Sequence, residues 1–394
     1  MMTGRTVRKK GRGEHTLREI RSQADSWEST LAAVKKQESR LREICEKAEE
    51  VVFTGCGSAY NVSHSVAPFF QAVSGKTSRA VHSSDIVINP ALFLNRTAKT
   101  LAVIISRSGD TTESVLALRT ARSLGCTTLA VTCFRRSAMA KEADTVLLLD
   151  GAVEESVVTT RSFTSMVLAG RALAAIAGEG TRGSGQDLTN LPALCRSGME
   201  RFEELGRRVS EDGDIRAYAF LGTGDMYGLA REAQLKIKEM VLRASDSYVS
   251  LDYQHGPMSN VDGGMLVTML TSAPARPYER EVARNMKALG GKVFVLCAGG
   301  SGEFTGAADY LLDLKTPENG REERVRPGYS SRKKRRGYTY AVKEEVKGTT
   351  AEAAGVLYMP VIQFMAYYTS LALGCDPDKP KNLHYYVKVK RPRR

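Results

Sequence analysis

The second half of the chain carries two side chains whose types suit proton transfer, Glu239 and His255, sixteen positions apart. A carboxylate shielded from water can act first as base and then as acid, because burial raises its pKa. Glu239 has apolar neighbours in a helical pattern, and a Gly-Pro turn presents the ring of His255. We therefore expect both side chains to take part in chemistry. The alternatives are a surface ion pair of Glu239 with Lys236 or Arg243, and a core position for His255.

The first half instead carries short hydroxyl side chains that suit a phosphate group. Most of them follow an apolar strand at the point where a helix begins, and backbone N–H groups and the helix dipole favour an anion there. Thr159 and Thr160 could add a third group. The alternative is that these residues only cap helices. The hydroxyl residues after the strand are Ser106, Ser108, Thr111 and Thr112, and Ser58 follows an earlier glycine turn.

The second half differs from the first at the corresponding loop, residues 271–277, which lacks the Ser-x-Ser-Gly pattern. We therefore expect phosphate binding in the first half only. Neither glycine turn, at Gly55 or Gly222, has the third glycine of a dinucleotide-binding fingerprint. We expect no organic cofactor, and the scattered cysteines give no metal-binding pattern.

The two halves share one plan, because residues 53–60 match residues 220–227 at an offset of 167. Each match is an apolar strand that runs into a glycine turn and a helix. Further β-branched runs alternate with amphipathic stretches, which predicts an α/β protein with two tandem doubly wound parallel-sheet domains. The further predicted strands are 100–105, 128–132 and 145–149 in the first half, and 265–270, 292–297 and 310–314 in the second.

The predicted organisation divides the 394 residues into five parts. The second domain includes a polar, basic insertion at 316–350, which we predict to be a mobile loop near the site. The parts are an N-terminal helical segment (1–49) that packs onto a domain, a phosphate-binding domain (50–180), a linker helix (181–213), a catalytic domain (214–375) and a C-terminal tail (376–394).

The net charge of +13 suits a phosphorylated substrate, but it would also suit nucleic acid. Much of the excess lies at 331–336 and 388–394, and such runs of like charge are typical of solvated loops and tails. No recognition-helix or RNA-binding signature accompanies them, so we expect no nucleic-acid partner. The scattered cysteines and the lack of a membrane span or signal peptide predict a cytoplasmic protein without membrane contact.

Several separated motifs resemble, in order and over nearly the whole chain, the sugar-isomerase (SIS) domain family and its tandem-domain members. These members include the isomerase half of glutamine–fructose-6-phosphate amidotransferase, and stand-alone ketose/aldose isomerases and amino-sugar-phosphate deaminases of the tagatose/galactosamine type. Nothing before His15 could form a glutaminase domain, so we expect no glutamine-driven amidation. The motifs lie at residues 15–23, 106–110, 162–166, 228–232 and 376–383.

The resemblance also implies roles for single residues. Glu239 falls where the family places the base that moves a proton between C1 and C2, and His255 falls where it places the ring-opening residue. Lys236 resembles a lysine that stabilises the open-chain sugar. The implied phosphate ligands are Ser58, Ser106, Ser108, Thr111 and Thr159, with Arg107 lining the same loop.

One position departs from the amidotransferase pattern. Tyr385 stands where those enzymes carry a lysine that forms an imine with the ketose. The resemblance therefore gives no support to imine formation at that position, although His384 or Lys388 could reach the site.

Three functions follow from these observations. The first is an isomerase/deaminase that forms a ketose 6-phosphate from an amino-sugar 6-phosphate or an aldose 6-phosphate. The second is a deglycase of phosphorylated sugar-amino acid adducts, and the third is a non-catalytic sugar-phosphate sensor, against which Glu239 and His255 argue. The resemblance also implies a homodimer with the site near the subunit interface.

Overall fold

The computed structural model describes residues 11–95, 98–179, 188–315, 340–345 and 350–387. These residues form two parallel β-sheets with covering helices, which confirms the predicted pair of α/β units. In the described part of the chain, none of the helices has the length and apolarity that a membrane crossing requires.

The strands of each sheet are all parallel to one another. The first sheet has the order β2-β1-β3-β4-β5 and the second β11-β10-β9-β8-β6-β7. The strands are β1 (Glu50–Gly55), β2 (Thr77–His82), β3 (Thr100–Ile105), β4 (Thr127–Thr132), β5 (Thr145–Leu148), β6 (Ala217–Gly222), β7 (Ala244–Tyr248), β8 (Met265–Leu270), β9 (Lys292–Cys297), β10 (Tyr310–Lys315) and β11 (Tyr340–Glu345).

The helices cover both faces of the first sheet and fill the space between the two sheets. One apolar cluster includes side chains from the inner faces of both sheets and from the helices between them. The helices are α1 (Glu14–Arg21), α2 (Gln23–Lys36), α3 (Glu38–Lys47), α4 (Ser58–Ser74), α5 (Ser83–Ile88), α6 (Pro90–Phe93), α7 (Thr112–Ser123), α8 (Ala138–Glu142), α9 (Arg161–Ala177), α10 (Leu191–Ser210), α11 (Asp225–Lys236), α12 (Arg276–Ala288), α13 (Ala351–Ala354) and α14 (Tyr358–Ala372).

The strands predicted by range, β3, β4, β5, β8, β9 and β10, match to within one residue at either end, whereas β1 and β6 begin three residues before the segments 53–60 and 220–227. The strands β2, β7 and β11, which lie at the edges of the sheets, were not predicted. β2 and β7 are rich in polar residues and are largely half-buried or exposed, so they lack the apolar run that marks a central strand. β11 lies within the predicted insertion at 316–350 and pairs with β10 along its length, so this part of the insertion belongs to the sheet. The basic run 332–336 lies outside the described residues.

The first turn of α1 is hydrogen-bonded to the segment that follows α14. The carboxylate of Asp378 accepts hydrogen bonds from the backbone N–H groups of His15 and Thr16 and from the Thr16 hydroxyl, at 3.2, 2.7 and 2.7 Å. These N–H groups lie in the first turn of α1, where a helix has no internal acceptors for them. Two motifs that resemble the family are therefore in direct contact.

The two units have the same geometry at their glycine turns. Gly57 and Gly224, which precede α4 and α11, have φ of 55° and 62° and ψ of −128° and −126°. The two helices therefore leave their sheets in the same way. They also pack against each other across the pseudo-symmetric junction of the units.

The crossing of α4 and α11 depends on Gly228. A Cβ atom on Gly228 would lie 2.2 Å from the backbone nitrogen of Ser65 and 2.6 Å from the carbonyl oxygen of Asn61. Backbone atoms inside a helix cannot move aside easily, so only glycine permits this approach. The same crossing brings the next turn of α11 against the start of α4.

The topology also indicates where a ligand would bind. In a sheet of order 2-1-3-4-5 the connections leave β1 and β3 toward opposite faces, and ligands bind outside the carboxyl ends of those strands. Ser58 follows β1, and the loop Ser106–Thr111 follows β3. Because β1 pairs with β3, both segments lie at the same edge of the sheet.

Gly228→Ala should destabilise the fold by about 1–3 kcal/mol, because the added methyl group forces α4 and α11 apart. The free energy of unfolding, measured by urea denaturation, tests this. Gly213→Ala is the matched control, since a Cβ atom on Gly213 meets nothing within 4 Å. Equal stability of the two variants would contradict the role given to the crossing.

Candidate active site

A buried carboxylate joins the two units at the α4–α11 crossing. Glu232, on α11, accepts hydrogen bonds from the Ser58 hydroxyl at 2.9 Å and from the Asn61 side-chain amide at 2.9 Å, both on α4. Its carboxylate also pairs with the Lys236 ammonium at 3.0 Å, and neither of these two side chains is exposed. The first unit thus supplies hydrogen bonds and the second supplies charge.

The Lys236 ammonium connects this carboxylate to the predicted base. Its Nζ lies 2.6 Å from Glu239 Oε2 and 3.2 Å from the Thr159 hydroxyl. The Thr159 hydroxyl in turn donates to Ser58 Oγ at 2.7 Å. We call Ser58, Asn61, Thr159, Glu232, Lys236 and Glu239 the carboxylate–lysine cluster.

The Lys236 ammonium has three donors, and its three partners in this structure are Glu232, Glu239 and Thr159. The role predicted for Lys236, stabilising an open-chain sugar, stays a prediction.

The charges of the cluster follow from burial and proximity. Burial raises the pKa of the Glu232 carboxyl, and the neighbouring Lys236 offsets part of this effect. Burial alone would lower the pKa of Lys236, but Glu232 and Glu239 outweigh it, so that pKa lies above its ordinary value. The lysine is therefore positively charged at neutral pH. Glu239, whose side chain is 19% exposed, is the carboxylate of the pair that a substrate can reach.

The local backbone turns Glu239 toward the lysine. Residues Ile237–Val241 form one π-helical turn at the end of α11, and the N–H of Leu242 donates to the Ile237 carbonyl at 3.1 Å. Leu242 has φ 56°, a left-handed conformation that costs a non-glycine residue about 1–2 kcal/mol. Wide turns and strained residues of this kind are common at functional sites.

Three of the predicted phosphate ligands converge at the start of α7. The hydroxyls of Ser106 and Ser108 each lie 3.4 Å from the Thr111 hydroxyl. Ser106 Oγ also accepts from the backbone N–H of Gly109 at 3.1 Å, and Ser108 Oγ accepts from the N–H of Asp110 at 3.2 Å. The hydroxyl loop, Ser106–Thr111, therefore combines hydroxyls with the positive end of a helix dipole.

The other two predicted ligands, Ser58 and Thr159, belong to the carboxylate–lysine cluster. They hydrogen-bond to each other and to Glu232, and among the described residues they make no hydrogen bond to the hydroxyl loop. Thr160 donates to the buried Glu154 and is not part of either group.

Arg107, which was predicted to line the hydroxyl loop, makes its side-chain contacts away from the hydroxyls of that loop. Its guanidinium is buried and pairs with Glu154 at 3.0 Å. Its remaining Nη contacts are to backbone carbonyl oxygens, and these contacts hold the loop before α9 in place. Those carbonyls belong to Ser156, Val157, Val158 and Tyr385.

Tyr385 joins the C-terminal tail to Arg107, through its ring and its backbone carbonyl. The guanidinium carbon of Arg107 lies 3.9 Å from the centre of the tyrosine ring, and the tyrosine hydroxyl donates to the Glu154 carbonyl at 3.0 Å. Burial raises the pKa of Tyr385 to about 12, so its hydroxyl is neutral at pH 7. Nearby, the Val387 carbonyl accepts from the N–H of Thr112 at 3.4 Å, so the tail crosses the start of α7. His384 is exposed, and Lys388 lies outside the described residues.

His255 is exposed, in the segment between β7 and β8. Among the described residues, none hydrogen-bonds or ion-pairs with its imidazole. The structure of one chain therefore does not join His255 to Glu239.

Glu232 and Asn61 are the site residues that sequence reasoning missed. A signal for Glu232 was present, because Glu232, Lys236 and Glu239 are spaced at i, i+4 and i+7 and so share one helix face. No sequence signal marks Asn61, since its contact with Glu232 crosses between units. The described residues include no group of three or more His, Cys, Asp or Glu side chains that could hold a metal ion.

Comparison with known proteins identifies the family. A model of the SIS domain matches residues 44–176 and 215–326, which is more than half of the chain. The chain belongs to the SIS domain family. The first match spans β1 to β5, and the second spans β6 to β10.

One relative by sequence and two solved structures illustrate what this SIS chain is similar to. A glutamine–fructose-6-phosphate aminotransferase of Caldanaerobacter subterraneus subsp. tengcongensis is 25% identical over 96% of this chain, which spans 60% of that relative's length. The solved structure of glucosamine-6-phosphate deaminase from Thermotoga maritima has a TM-score of 0.67 at 25% identity and covers 91% of this chain and 99% of its own. Tagatose-6-phosphate ketose/aldose isomerase from Escherichia coli has a TM-score of 0.77 at 22% identity, with 93% and 95% covered, which shows the shared fold.

Lys236→Met should destabilise the protein by about 3–5 kcal/mol, because it leaves two carboxylates without their buried counter-charge. Urea denaturation of the variant measures this. Lys238→Met is the matched control, since Lys238 is exposed and its nearest carboxylate oxygen lies 4.0 Å away. If both variants unfold at the same urea concentration, the cluster does not contribute to stability as described.

Proposed function

We propose that this SIS protein converts an amino-sugar 6-phosphate or an aldose 6-phosphate to a ketose 6-phosphate by moving a proton between C1 and C2. The observation that carries the proposal is the contact of 2.6 Å between the Lys236 ammonium and the Glu239 carboxylate. A partly exposed carboxylate that a buried ammonium holds in one position can reach a proton on a bound substrate. The hydroxyl loop lies at the same edge of the first sheet as Ser58, which belongs to the carboxylate–lysine cluster. The loop would hold the phosphate.

In this mechanism the substrate phosphate binds the hydroxyl loop and the N-terminus of α7. Glu239 removes the proton from C2 of the open-chain aldose and returns it to C1, through a cis-enediol or enolamine. An amino sugar then carries an imine at C2, and water hydrolyses it to the ketose and ammonia. Lys236 holds the Glu239 carboxylate in position, and His255 opens the sugar ring.

The relatives support this class of reaction over the alternatives. Glucosamine-6-phosphate deaminase is the solved relative at 25% identity and favours loss of ammonia. A deglycase would use the same base on a larger leaving amine. A non-catalytic sensor would bind sugar phosphate without any need for the paired Glu239 and Lys236, so it is the weaker alternative.

We also propose that the protein is a homodimer with its site near the subunit interface. Leu242, Val249 and Leu251 are 48%, 39% and 44% exposed and lie close in sequence to Glu239 and His255. Large apolar side chains at neighbouring exposed positions are typical of an interaction surface. Sedimentation equilibrium of the purified protein tests the oligomeric state, and a monomer at micromolar concentration would contradict it.

The first test is ammonia release from glucosamine 6-phosphate and galactosamine 6-phosphate, with the product sugar identified. Ammonia with fructose 6-phosphate or tagatose 6-phosphate would establish a deaminase and identify the epimer. Without ammonia, conversion of the neutral aldose phosphates would establish an isomerase. Release of an amino acid from a phosphorylated fructosamine would establish the deglycase instead, and binding without any turnover would support the sensor.

Glu239→Gln should lower kcat by about 10²–10⁴-fold, because the amide cannot accept the proton. The dissociation constant for the sugar phosphate should stay within about threefold, since the hydroxyl loop is unchanged. Glu281→Gln, an exposed glutamate on α12, is the control. Wild-type turnover of Glu239→Gln would remove this glutamate from the mechanism.

Ser108→Ala should weaken sugar-phosphate binding by about 10–100-fold, because a hydrogen bond to a charged group contributes about 1.5–3 kcal/mol. Titration calorimetry with the sugar phosphate measures the loss. The control is Ser123→Ala, at the exposed C-terminal end of α7, the helix that follows the hydroxyl loop. This variant should bind the sugar phosphate like the wild type. A defect in kcat with unchanged affinity would contradict the phosphate assignment.

A further inference from the structure

The segment that carries His255 has little regular structure of its own. Residues 249–264 connect β7 to β8 and contain two short 3₁₀ turns, Asp252–Gln254 and Pro257–Asn260. Because no described side chain bonds to the His255 ring, the position of the ring depends on how the segment is anchored.

A buried carboxyl group on α12 anchors the start of this segment. Glu279 is 1% exposed, and its Oε1 accepts a hydrogen bond from the hydroxyl of Ser250 at 2.7 Å. Further along the same helix, the side-chain amide of Asn285 donates to Gln254 Oε1 at 2.7 Å, and Gln254 immediately precedes His255. Helix α12 therefore contacts the segment at two places on the N-terminal side of the histidine.

The same carboxyl group also contacts the turn that leads into α11. The hydroxyl of Thr223 lies 3.3 Å from Glu279 Oε1. Thr223 precedes α11, at whose end Lys236 and Glu239 lie. One buried oxygen thus links the start of the base-bearing helix to the start of the histidine-bearing segment.

This position is the second unit's counterpart of the ligand crevice. Thr223 follows β6, and α12 begins after β8, and these two strands pair like β1 and β3. A carboxyl group there disfavours a bound anion. The crevice that holds the hydroxyl loop in the first unit therefore contains an internal link in the second.

Burying the Glu279 carboxyl group costs folding free energy. Burial raises its pKa to about 7, and among the described residues its Oε2 has no hydrogen-bond partner. An unsatisfied buried oxygen is destabilising. An apolar side chain at position 279 would fill the space at a lower cost in folding free energy. It could not accept hydrogen bonds from the hydroxyls of Ser250 and Thr223.

We propose that Glu279 is a positioning residue, which sets the His255 segment relative to the helix that carries Lys236 and Glu239 by accepting hydrogen bonds from Ser250 and Thr223. The catalytic consequence rests on the proposed function, but the effect on the conformation of the segment does not. The two parts can therefore be tested separately.

The conformational test uses the imidazole NMR signal of His255, assigned by its loss in His255→Ala. We expect this signal to shift or broaden in Ser250→Ala and Glu279→Leu, and to remain as in the wild type in Glu279→Gln, which keeps the accepting oxygen. Thr268→Val is the matched control, because the buried Thr268 hydroxyl has no hydrogen-bond partner among the described residues. An unchanged signal in both Ser250→Ala and Glu279→Leu would overturn the proposal. If Glu279→Leu fails to fold, Ser250→Ala alone decides.

The kinetic test uses the substrate identified by the assays of the proposed function. Ser250→Ala should lower kcat about tenfold or more, with KM within twofold of the wild type, and Glu279→Gln should keep at least a third of the wild-type kcat. A kcat in Ser250→Ala equal to that of Thr268→Val, with His255→Ala strongly impaired, would overturn the kinetic part. Full activity of His255→Ala would instead overturn the catalytic role of the histidine, and the NMR signal would then decide the positioning role.

Discussion

The close crossing of α4 and α11 is the constraint on which the rest of the site depends. Gly228 brings the two backbones together, and one turn later Glu232 lies against Ser58 and Asn61. A buried carboxylate needs both hydrogen bonds and a counter-charge. The hydrogen bonds come from one unit and the counter-charge, Lys236, from the other, so the site is completed only when the two units are in contact.

Two kinds of buried charge have different purposes in this protein. Arg107 and Glu154 satisfy each other and the surrounding carbonyls, and Tyr385 covers them, so this pair fixes the loop before α9 and the tail. Lys236 lies between two carboxylates, and one of them, Glu239, is open to solvent. Of these two arrangements, the second leaves a carboxylate partly exposed, which is what the proposed proton transfer requires.

The two sheets share the strand order 2-1-3-4-5, to which the second sheet adds the edge strand β11, but their crevices differ. The hydroxyl loop of the first unit collects three hydroxyls at the start of a helix. The second unit instead places the Glu279 carboxyl near the equivalent strand ends, where it links two segments of its own chain. A repeated plan can therefore carry hydroxyls at one crevice and an internal link at the other, where an acidic side chain disfavours an anion.

The sequence by itself determined the two α/β units, the central strands and the residues of the hydroxyl loop, because apolar strands and glycine turns repeat in both halves and hydroxyls at a helix start are a local pattern. The π-helical turn at Glu239, the structural use of Arg107 and the edge strands were decided only by the tertiary structure. So was the contact of Glu232 with Ser58 and Asn61, which are 174 and 171 positions away. Local patterns report which groups a residue can bond to, but burial and long-range packing decide which of those bonds form.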